Sequence, residues 1–206
     1  FCRAASNEKK SNFLLKNVSI MKKQWIALFA LILVVAACKK DNDPRLSADT
    51  LNYDGDNFAA PLLPAGSYEA AARFTFNKLE RFIGREIYEV NMFIQEIPTN
   101  VELRIYGEGT DTSPGALLYT QNWNGLNANS WNDLTLTTPL EITGEELWLS
   151  VRFDLPGDMR TVGCDPGPAN PNGDWTLDYS FGTWETLRDF SLGEVDINWN
   201  LRAQTR

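Results

Sequence analysis

From about Asn52 onward, apolar and polar residues alternate with a period of two, and no stretch keeps the 3.6-residue period of a long helix. This alternation predicts five clear strands and three weaker ones. They are Tyr68–Phe76, Glu86–Ile94, Val101–Tyr106, Leu147–Phe153 and Ile197–Ala203, then Leu117–Trp123, Trp131–Leu136 and Asp174–Phe181. Because each strand has only one apolar face, the pattern predicts an all-β sandwich of about eight strands in two packed sheets.

Details of the alternation predict which side chains face the core. In the second strand the inward row is predicted to be Tyr88, Val90, Met92 and Ile94. Turn sequences such as Ser113-Pro114-Gly115 separate the strands. The only helical candidate is a turn or two around Leu79 to Ile83, which ends before Gly84.

The start of the chain has a different pattern. An uninterrupted apolar run, Ile26–Ala37, follows a short basic segment that begins at Met21, and Cys38 ends it. About a dozen residues are too few for a permanent membrane-spanning helix, which needs roughly 20, but they suit the apolar part of a signal peptide. The order of these features resembles the lipobox of bacterial lipoproteins. That resemblance implies cleavage before Cys38 and acylation of its thiol; an ordinary secretory signal is the alternative.

These features predict the organisation of the chain. Residues 1–20 are predicted to be an artefact of an upstream start site, and residues 21–37 a lipoprotein signal peptide. Residues 38–51 are predicted to be the lipidated cysteine with a tether, and residues 52–206 the β-sandwich domain. Lys39–Pro44 resembles the charged start of surface-exposed lipoproteins of the Bacteroidota. That likeness implies anchoring in the cell outer membrane through Cys38, with the domain outside the cell; a plain solvated tether is the alternative.

Several short motifs in the predicted sandwich resemble a jelly-roll module of secreted and surface proteins of the Bacteroidota. The motifs are Thr112–Tyr119, Trp131–Leu136, Glu146–Leu149, Gly163–Pro168 and Asn198–Ala203. The family implies a jelly-roll β-sandwich with a non-catalytic binding or accessory role, as in adhesin-type domains. Its ligands are mostly unassigned.

Composition then excludes classes of function. The 206 residues include no His, which excludes Ser-His-Asp triads, Cys-His pairs and His-ligated zinc. The formal net charge is −8, whereas a nucleic-acid-binding protein presents a basic surface, so we expect no nucleic-acid partner. Three widely spaced cysteines make no disulfide framework, and Cys164 has no His to activate it, so a packing role is expected. Paired catalytic carboxylates are disfavoured because no acid falls within an apolar strand row.

Acid-rich loops offer candidate ligands for a structural Ca²⁺, which prefers carboxylate and carbonyl oxygens. The preferred candidates are Asp54, Asp56 and Asp165. Neither loop has the spacing of an EF-hand. The alternative is that Asp, Gly and Pro serve only to build turns.

A polar and aromatic set faces away from the apolar rows and is predicted to bind a ligand. Its members are Trp148, Arg152, Arg104, Tyr106, Asn198, Asn200 and Arg202. Because Trp148 alternates with Leu147 and Leu149, its ring belongs on the opposite face of the strand, where we predict that it is exposed. An aromatic plate beside Asn and Arg suits sugar recognition. Cross-strand pairing on a solvated face, or a Trp148 in the core, is the alternative.

Taken together, these features predict an outer-membrane or cell-surface lipoprotein with a non-catalytic β-sandwich that binds glycan or protein ligands. An accessory domain of a surface assembly without a small ligand is the alternative, and a glycoside hydrolase is less favoured.

Overall fold

Strands dominate the computed structural model, which describes Asp43 and residues 45–206. Within those residues there are twelve strands, two one-turn helices and a 3₁₀ turn. The strands are β1 (Thr50–Leu51), β2 (Leu62–Leu63), β3 (Gly66–Phe74), β4 (Glu86–Ile94), β5 (Thr99–Tyr106), β6 (Leu117–Asn122), β7 (Ser130–Glu141), β8 (Leu147–Leu155), β9 (Met159–Arg160), β10 (Trp175–Asp178), β11 (Thr183–Thr186) and β12 (Leu201–Thr205). The helices are α1 (Phe76–Leu79) and α2 (Leu187–Phe190), and the 3₁₀ turn is Glu80–Phe82.

The strands form two main antiparallel sheets. One has the order β1-β12-β4-β7, and the other has the order β11-β10-β3-β8-β5-β6. The pairs β5/β6, β4/β7 and β3/β8 are nested in the sequence and alternate between the two sheets, which is the arrangement of a jelly roll. The predicted all-β, jelly-roll-like sandwich is therefore confirmed. The larger number of strands comes from the two-residue strands β1, β2 and β9 and from β11.

The core lies between the two sheets and is built from the predicted apolar rows. Residues of β3, β5 and β8 pack there against residues of β4 and β12, including Phe74, Ile105, Phe153, Met92 and Leu201. One predicted row is wrong in part. The pairing of β4 with β7 shifts register between Ile87 and Glu89, so Ile87 is buried and Tyr88 is only half-buried. A bulge of this kind inverts the alternation on one side of it.

The predicted helical turn is present as α1 and the 3₁₀ turn. Its residues Leu79 and Phe82 are fully buried, and Gly84 follows at φ 82°, a conformation that glycine adopts without strain. Phe76, predicted as the last residue of the strand Tyr68–Phe76, instead begins α1 and is 52% exposed.

The compact unit begins at Asp43, earlier than the predicted domain boundary at residue 52. Thr50 and Leu51, predicted as tether, form β1 and pair with Gln204 and Ala203 of β12. The predicted signal peptide and Cys38 lie outside the described residues. No helix in the described part of the chain is long and apolar enough to cross a membrane.

Candidate ligand-binding face

The six-stranded sheet has an outer face that points away from the core, and four of the predicted ligand residues lie on it. Arg152 of β8 is flanked by Glu69 of β3 and Glu102 of β5. Two residues earlier on β8, Ser150 lies opposite Arg104 of β5. Tyr106 and Trp148 form the next pair along the same strands. The alternation of the sequence therefore placed Arg104, Tyr106, Trp148 and Arg152 on one face correctly.

Glu69 is the centre of this face, and its carboxylate is fully buried. Tyr106 and Tyr179 donate hydrogen bonds from their hydroxyls to its two oxygens, at 2.8 and 2.9 Å. The Ser150 hydroxyl also donates to it, and the guanidinium of Arg104 lies 3.3 Å away. A buried carboxylate needs such donors, because a charge without them is expensive to remove from water. We call these five residues the Glu69 cluster.

The titration of the cluster follows from burial and from its charges. Burial raises the pKa of Tyr106, and the negative charge of Glu69 raises it further. Tyr179 is shifted in the same direction for the same two reasons. Burial alone would lower the pKa of Arg104, but hydrogen bonds to Glu102 and Tyr106 raise it overall. The two phenols therefore remain neutral donors and the guanidinium remains charged at physiological pH.

Trp148 lies on the predicted face, but the prediction that its ring is exposed is wrong. It is fully buried, with Trp175 of β10 at a ring-centroid distance of 4.9 Å and Trp184 of β11 at 5.7 Å. The guanidinium of Arg73 lies 5.6 Å from the centroid of the same ring. Strands β10 and β11 extend the sheet and carry the two covering rings. Trp148 therefore packs within an aromatic cluster on the outer face and offers no free plate to a ligand.

A polar cleft of about 360 Å³ opens beside this face. Its polar lining consists of Asn100, Glu102, Asn122, Asn124 and Arg152, and its apolar lining includes Ile97 and Trp123. The cleft thus combines hydrogen-bond donors and acceptors with a small apolar area, which is the composition of a site for a polar small molecule. Arg152 and Glu102 belong both to the cleft and to the outer face.

Asp154 positions two of the cleft residues. Its carboxylate accepts hydrogen bonds from Arg152 at 3.1 Å, from the Asn100 amide at 2.8 Å and from the Ser67 hydroxyl at 2.6 Å. The Ser67 bond is the main reason that the pKa of Asp154 lies below its usual value. Asn100 adopts φ 51°, in the left-handed region that asparagine tolerates better than most residues. Asp154 therefore stays ionised and holds the guanidinium and the amide in place.

The other three predicted ligand residues, Asn198, Asn200 and Arg202, do not lie on this face. They precede or belong to β12 in the four-stranded sheet, and all three are buried. Hydrogen bonds join the two asparagines to the acid-rich loops. Asn198 donates to Asp165 from its backbone N–H at 2.8 Å and from its side-chain amide at 3.0 Å, and Asn200 donates to Asp54 at 2.7 Å. The expectation that Asn198 and Asn200 assist Trp148 is therefore wrong.

Arg202 is fully buried and holds its surroundings together. Its Nε donates to both oxygens of Asp54, at 3.1 and 2.9 Å, and its Nη1 donates to Asp43 at 2.6 Å. The Nη2 donates to the Gly55 carbonyl at 2.9 Å, and the guanidinium lies 4.0 Å from the centroid of the Trp131 ring. Because each of its three nitrogens donates to a neighbouring group and the side chain is fully buried, Arg202 has a structural role in the described part of the chain.

The three aspartates predicted as calcium ligands are not arranged around a shared cation site. Asp54 is engaged by Arg202, and Asp165 accepts four hydrogen bonds, from the backbone of Gly55, Gly167 and Asn198 and from the Asn198 amide. Asp56 is exposed. Among the described residues, no group of three or more acidic, cysteine or histidine side chains is placed to hold a metal ion.

No protein-family model and no curated protein sequence matches the chain. Among solved structures, the chain is similar to the cysteine protease and lectin-like domains of Cwp84, a surface layer associated protein of Clostridium difficile. The TM-score is 0.54 at 11% identity, over 78% of this chain and 36% of that one. It is also similar to a clostridial cysteine protease Cwp84 variant after propeptide cleavage, with a TM-score of 0.56 at 12% identity, over 78% of this chain and 41% of that one. The chain thus spans well under half of each, and the likeness shows the fold alone.

Several residues of the face were missed by sequence reasoning. Glu69, Ser150 and Tyr179 complete the Glu69 cluster. The missed residues of the cleft are Asn100, Glu102, Asn122 and Asn124, and Asp154 holds Asn100 and Arg152 in place. Alternation does place Glu69 opposite the apolar row of β3, and that was the only local signal. The partners of Glu69 lie up to 110 residues away in the sequence, so only the three-dimensional arrangement of the sheet shows that they converge.

Proposed function

We propose that the protein is a non-catalytic, lectin-like module that binds carbohydrate in the polar cleft. The observation that carries the proposal is the lining of the cleft, in which three asparagines, a glutamate and an arginine surround a small apolar area. Sugars present hydroxyl groups that both donate and accept hydrogen bonds, and amide and carboxylate side chains match both kinds. The similarity of the fold to a chain that includes a lectin-like domain supports the proposal.

Preorganisation of the cleft supports the same function. Asp154 already holds Arg152 and Asn100, so these groups need little ordering when a ligand arrives. Tyr179 is 41% exposed, and the Arg152 guanidinium lies 5.5 Å from the centroid of its ring. A sugar that extends out of the cleft would meet this ring, which offers an apolar surface for the C–H groups of a pyranose.

The location is part of the same proposal. The lipobox-like segment that ends at Cys38 supports anchoring of the module in the outer membrane by acyl chains, with the domain displayed outside the cell. Labelled palmitate is expected to enter the protein and to be absent from a Cys38→Ser variant. Lack of label in the unsubstituted protein would contradict the anchor.

Binding can be tested by applying the purified chain to an array of neutral and acidic oligosaccharides. A bound oligosaccharide is then titrated against the variants Asn122→Ala and Arg152→Ala. Asn122→Ala is expected to weaken binding by about fivefold, because a neutral hydrogen bond contributes about 1 kcal/mol. Arg152→Ala is expected to weaken it by about tenfold or more, because a charge-assisted hydrogen bond contributes about 1.5–3 kcal/mol.

Asn127→Ala is the matched control, since Asn127 is exposed and does not line the cleft. It is expected to leave affinity unchanged. If no oligosaccharide binds, or if the cleft variants bind as tightly as the control, the cleft is not a carbohydrate site.

A further inference from the structure

A second cavity, of about 380 Å³, shares no lining residue with the polar cleft. Its walls come from the segment 58–63, from β9 and the residues after it, and from α2 with the loop that follows it. The larger apolar side chains that line it are Phe58, Leu62, Leu63, Leu187, Phe190, Val195 and Ile197. Its volume falls within the range of about 300–1,000 Å³ that is usual for sites that bind small molecules.

The rim of this cavity exposes apolar side chains to water. Phe58 is 73% exposed, Leu62 is 56% exposed and Phe190 is 40% exposed. Grouped apolar exposure of this kind lowers solubility and contributes nothing to the stability of the core, and it marks binding sites on soluble domains. An apolar ligand would cover all three side chains.

Arg160 is the only charged side chain among the described residues that line the cavity. Its Nη1 donates to the carbonyl oxygen of Ala60 at 2.7 Å, and no ion pair in the described part of the chain involves it. The remaining N–H groups of the guanidinium are therefore available for an anion. Arg160 is exposed at the rim of the cavity, where its positive charge favours an anionic ligand over a neutral one of the same shape.

The thiol of Cys164 forms part of the apolar wall. It is a free, buried cysteine, and burial raises its pKa to about 11. It is therefore a neutral thiol at physiological pH, and a buried neutral thiol packs as a small apolar group. The expected packing role of Cys164 agrees with this position.

From these observations we propose that the cavity binds a small apolar molecule with one carboxylate, such as a medium-chain fatty acid. The alkyl chain fills the cavity between α2 and the segment 58–63, and the carboxylate pairs with the guanidinium of Arg160. This site is separate from the proposed carbohydrate cleft, and either can fail without affecting the other.

Calorimetric titration of the full chain with decanoate and with decan-1-ol tests the proposal. The two probes share an alkyl chain and differ in the carboxylate. Decanoate is expected to bind about tenfold or more tightly than decan-1-ol, the difference that a charge-assisted hydrogen bond supplies. Arg160→Gln is expected to reduce the affinity for decanoate to that for decan-1-ol, and Arg160→Lys to retain most of it.

Two further variants locate the site. Ala59→Leu adds side-chain atoms at a residue that lines the cavity and is expected to weaken the binding of both probes. Arg81→Gln removes an exposed arginine that does not line the cavity and is expected to change neither affinity. Thermal unfolding of each variant confirms that it is folded. The proposal is overturned if decanoate does not bind, if Arg160→Gln binds it as well as Arg81→Gln does, or if Ala59→Leu has no effect.

Discussion

Replacing Arg202 by Met tests how much the buried ion-pair network contributes to stability. The substitution keeps most of the apolar stem of the side chain and removes its charge. It leaves Asp54, whose side chain is also fully buried, without its cation. Removing one partner of a buried, hydrogen-bonded pair costs about 3–5 kcal/mol, because the other charge stays desolvated.

The cost of Arg202→Met is expected to depend on pH. Burial raises the pKa of Asp54 above its usual value even though Arg202 acts in the opposite direction. Without Arg202 the pKa of Asp54 rises further, so the folded variant binds a proton that the unfolded chain does not. A carboxyl group with a raised pKa in the folded state destabilises it increasingly as pH rises through that pKa. The loss is therefore larger at pH 8 than at pH 5.

Urea unfolding followed by tryptophan fluorescence at the two pH values measures the effect. A loss of about 3–5 kcal/mol at pH 8 corresponds to a fall in melting temperature of roughly 10 °C, since a domain of this size shifts by about 2–4 °C per kcal/mol. Combining Arg202→Met with Asp54→Asn is expected to cost less than the sum of the two single changes, because the second change removes the stranded charge. Strict additivity, a loss below about 1 kcal/mol or a loss independent of pH would refute this reasoning.

Two other substitutions test the packing of the six-stranded sheet and its edge. Trp148→Ala is expected to lower the free energy of unfolding, measured in urea, by about 3–5 kcal/mol, as large aromatic truncations in cores do. A loss below about 1 kcal/mol would instead indicate that the ring lies at the surface. Asp174 is fully buried, burial raises its pKa to about 6, and one of its oxygens lacks a partner among the described residues. Because of that raised pKa, ionised Asp174 makes the folded state less stable as pH rises from about 4 through 6. Asp174→Asn is therefore expected to stabilise the protein at pH 8 by up to about 3 kcal/mol. Thermal unfolding at several pH values should show this gain shrinking toward about pH 4.

Local alternation predicted much of the fold because each strand has one apolar face. The bounds of β4 agree with the sequence pattern, and β8 differs only at its end. The pattern failed at Ile87 and Tyr88, where the register shift inverts the alternation. A bulge depends on how two strands pair, which no run of residues in one strand specifies.

Burial of the candidate ligand residues could not be predicted in the same way. Alternation gave the correct side for Trp148 and for Arg202, but it does not say what covers that side. The covering groups are the rings of Trp175 and Trp184 in one case, and Asp43 with Asp54 in the other. Both coverings depend on contacts between distant parts of the chain.

The pairing of β1 with β12 has a mechanical consequence. Thr50, which opens β1, lies opposite Gln204 near the end of β12, so these two points lie at the same end of two neighbouring strands. Tension between these two points acts perpendicular to the strands and opens their hydrogen bonds one after another. The first links to be strained are the Arg202–Asp43 ion pair and this short ladder. The other strands of the two sheets would carry little of that force until β1 has separated from β12.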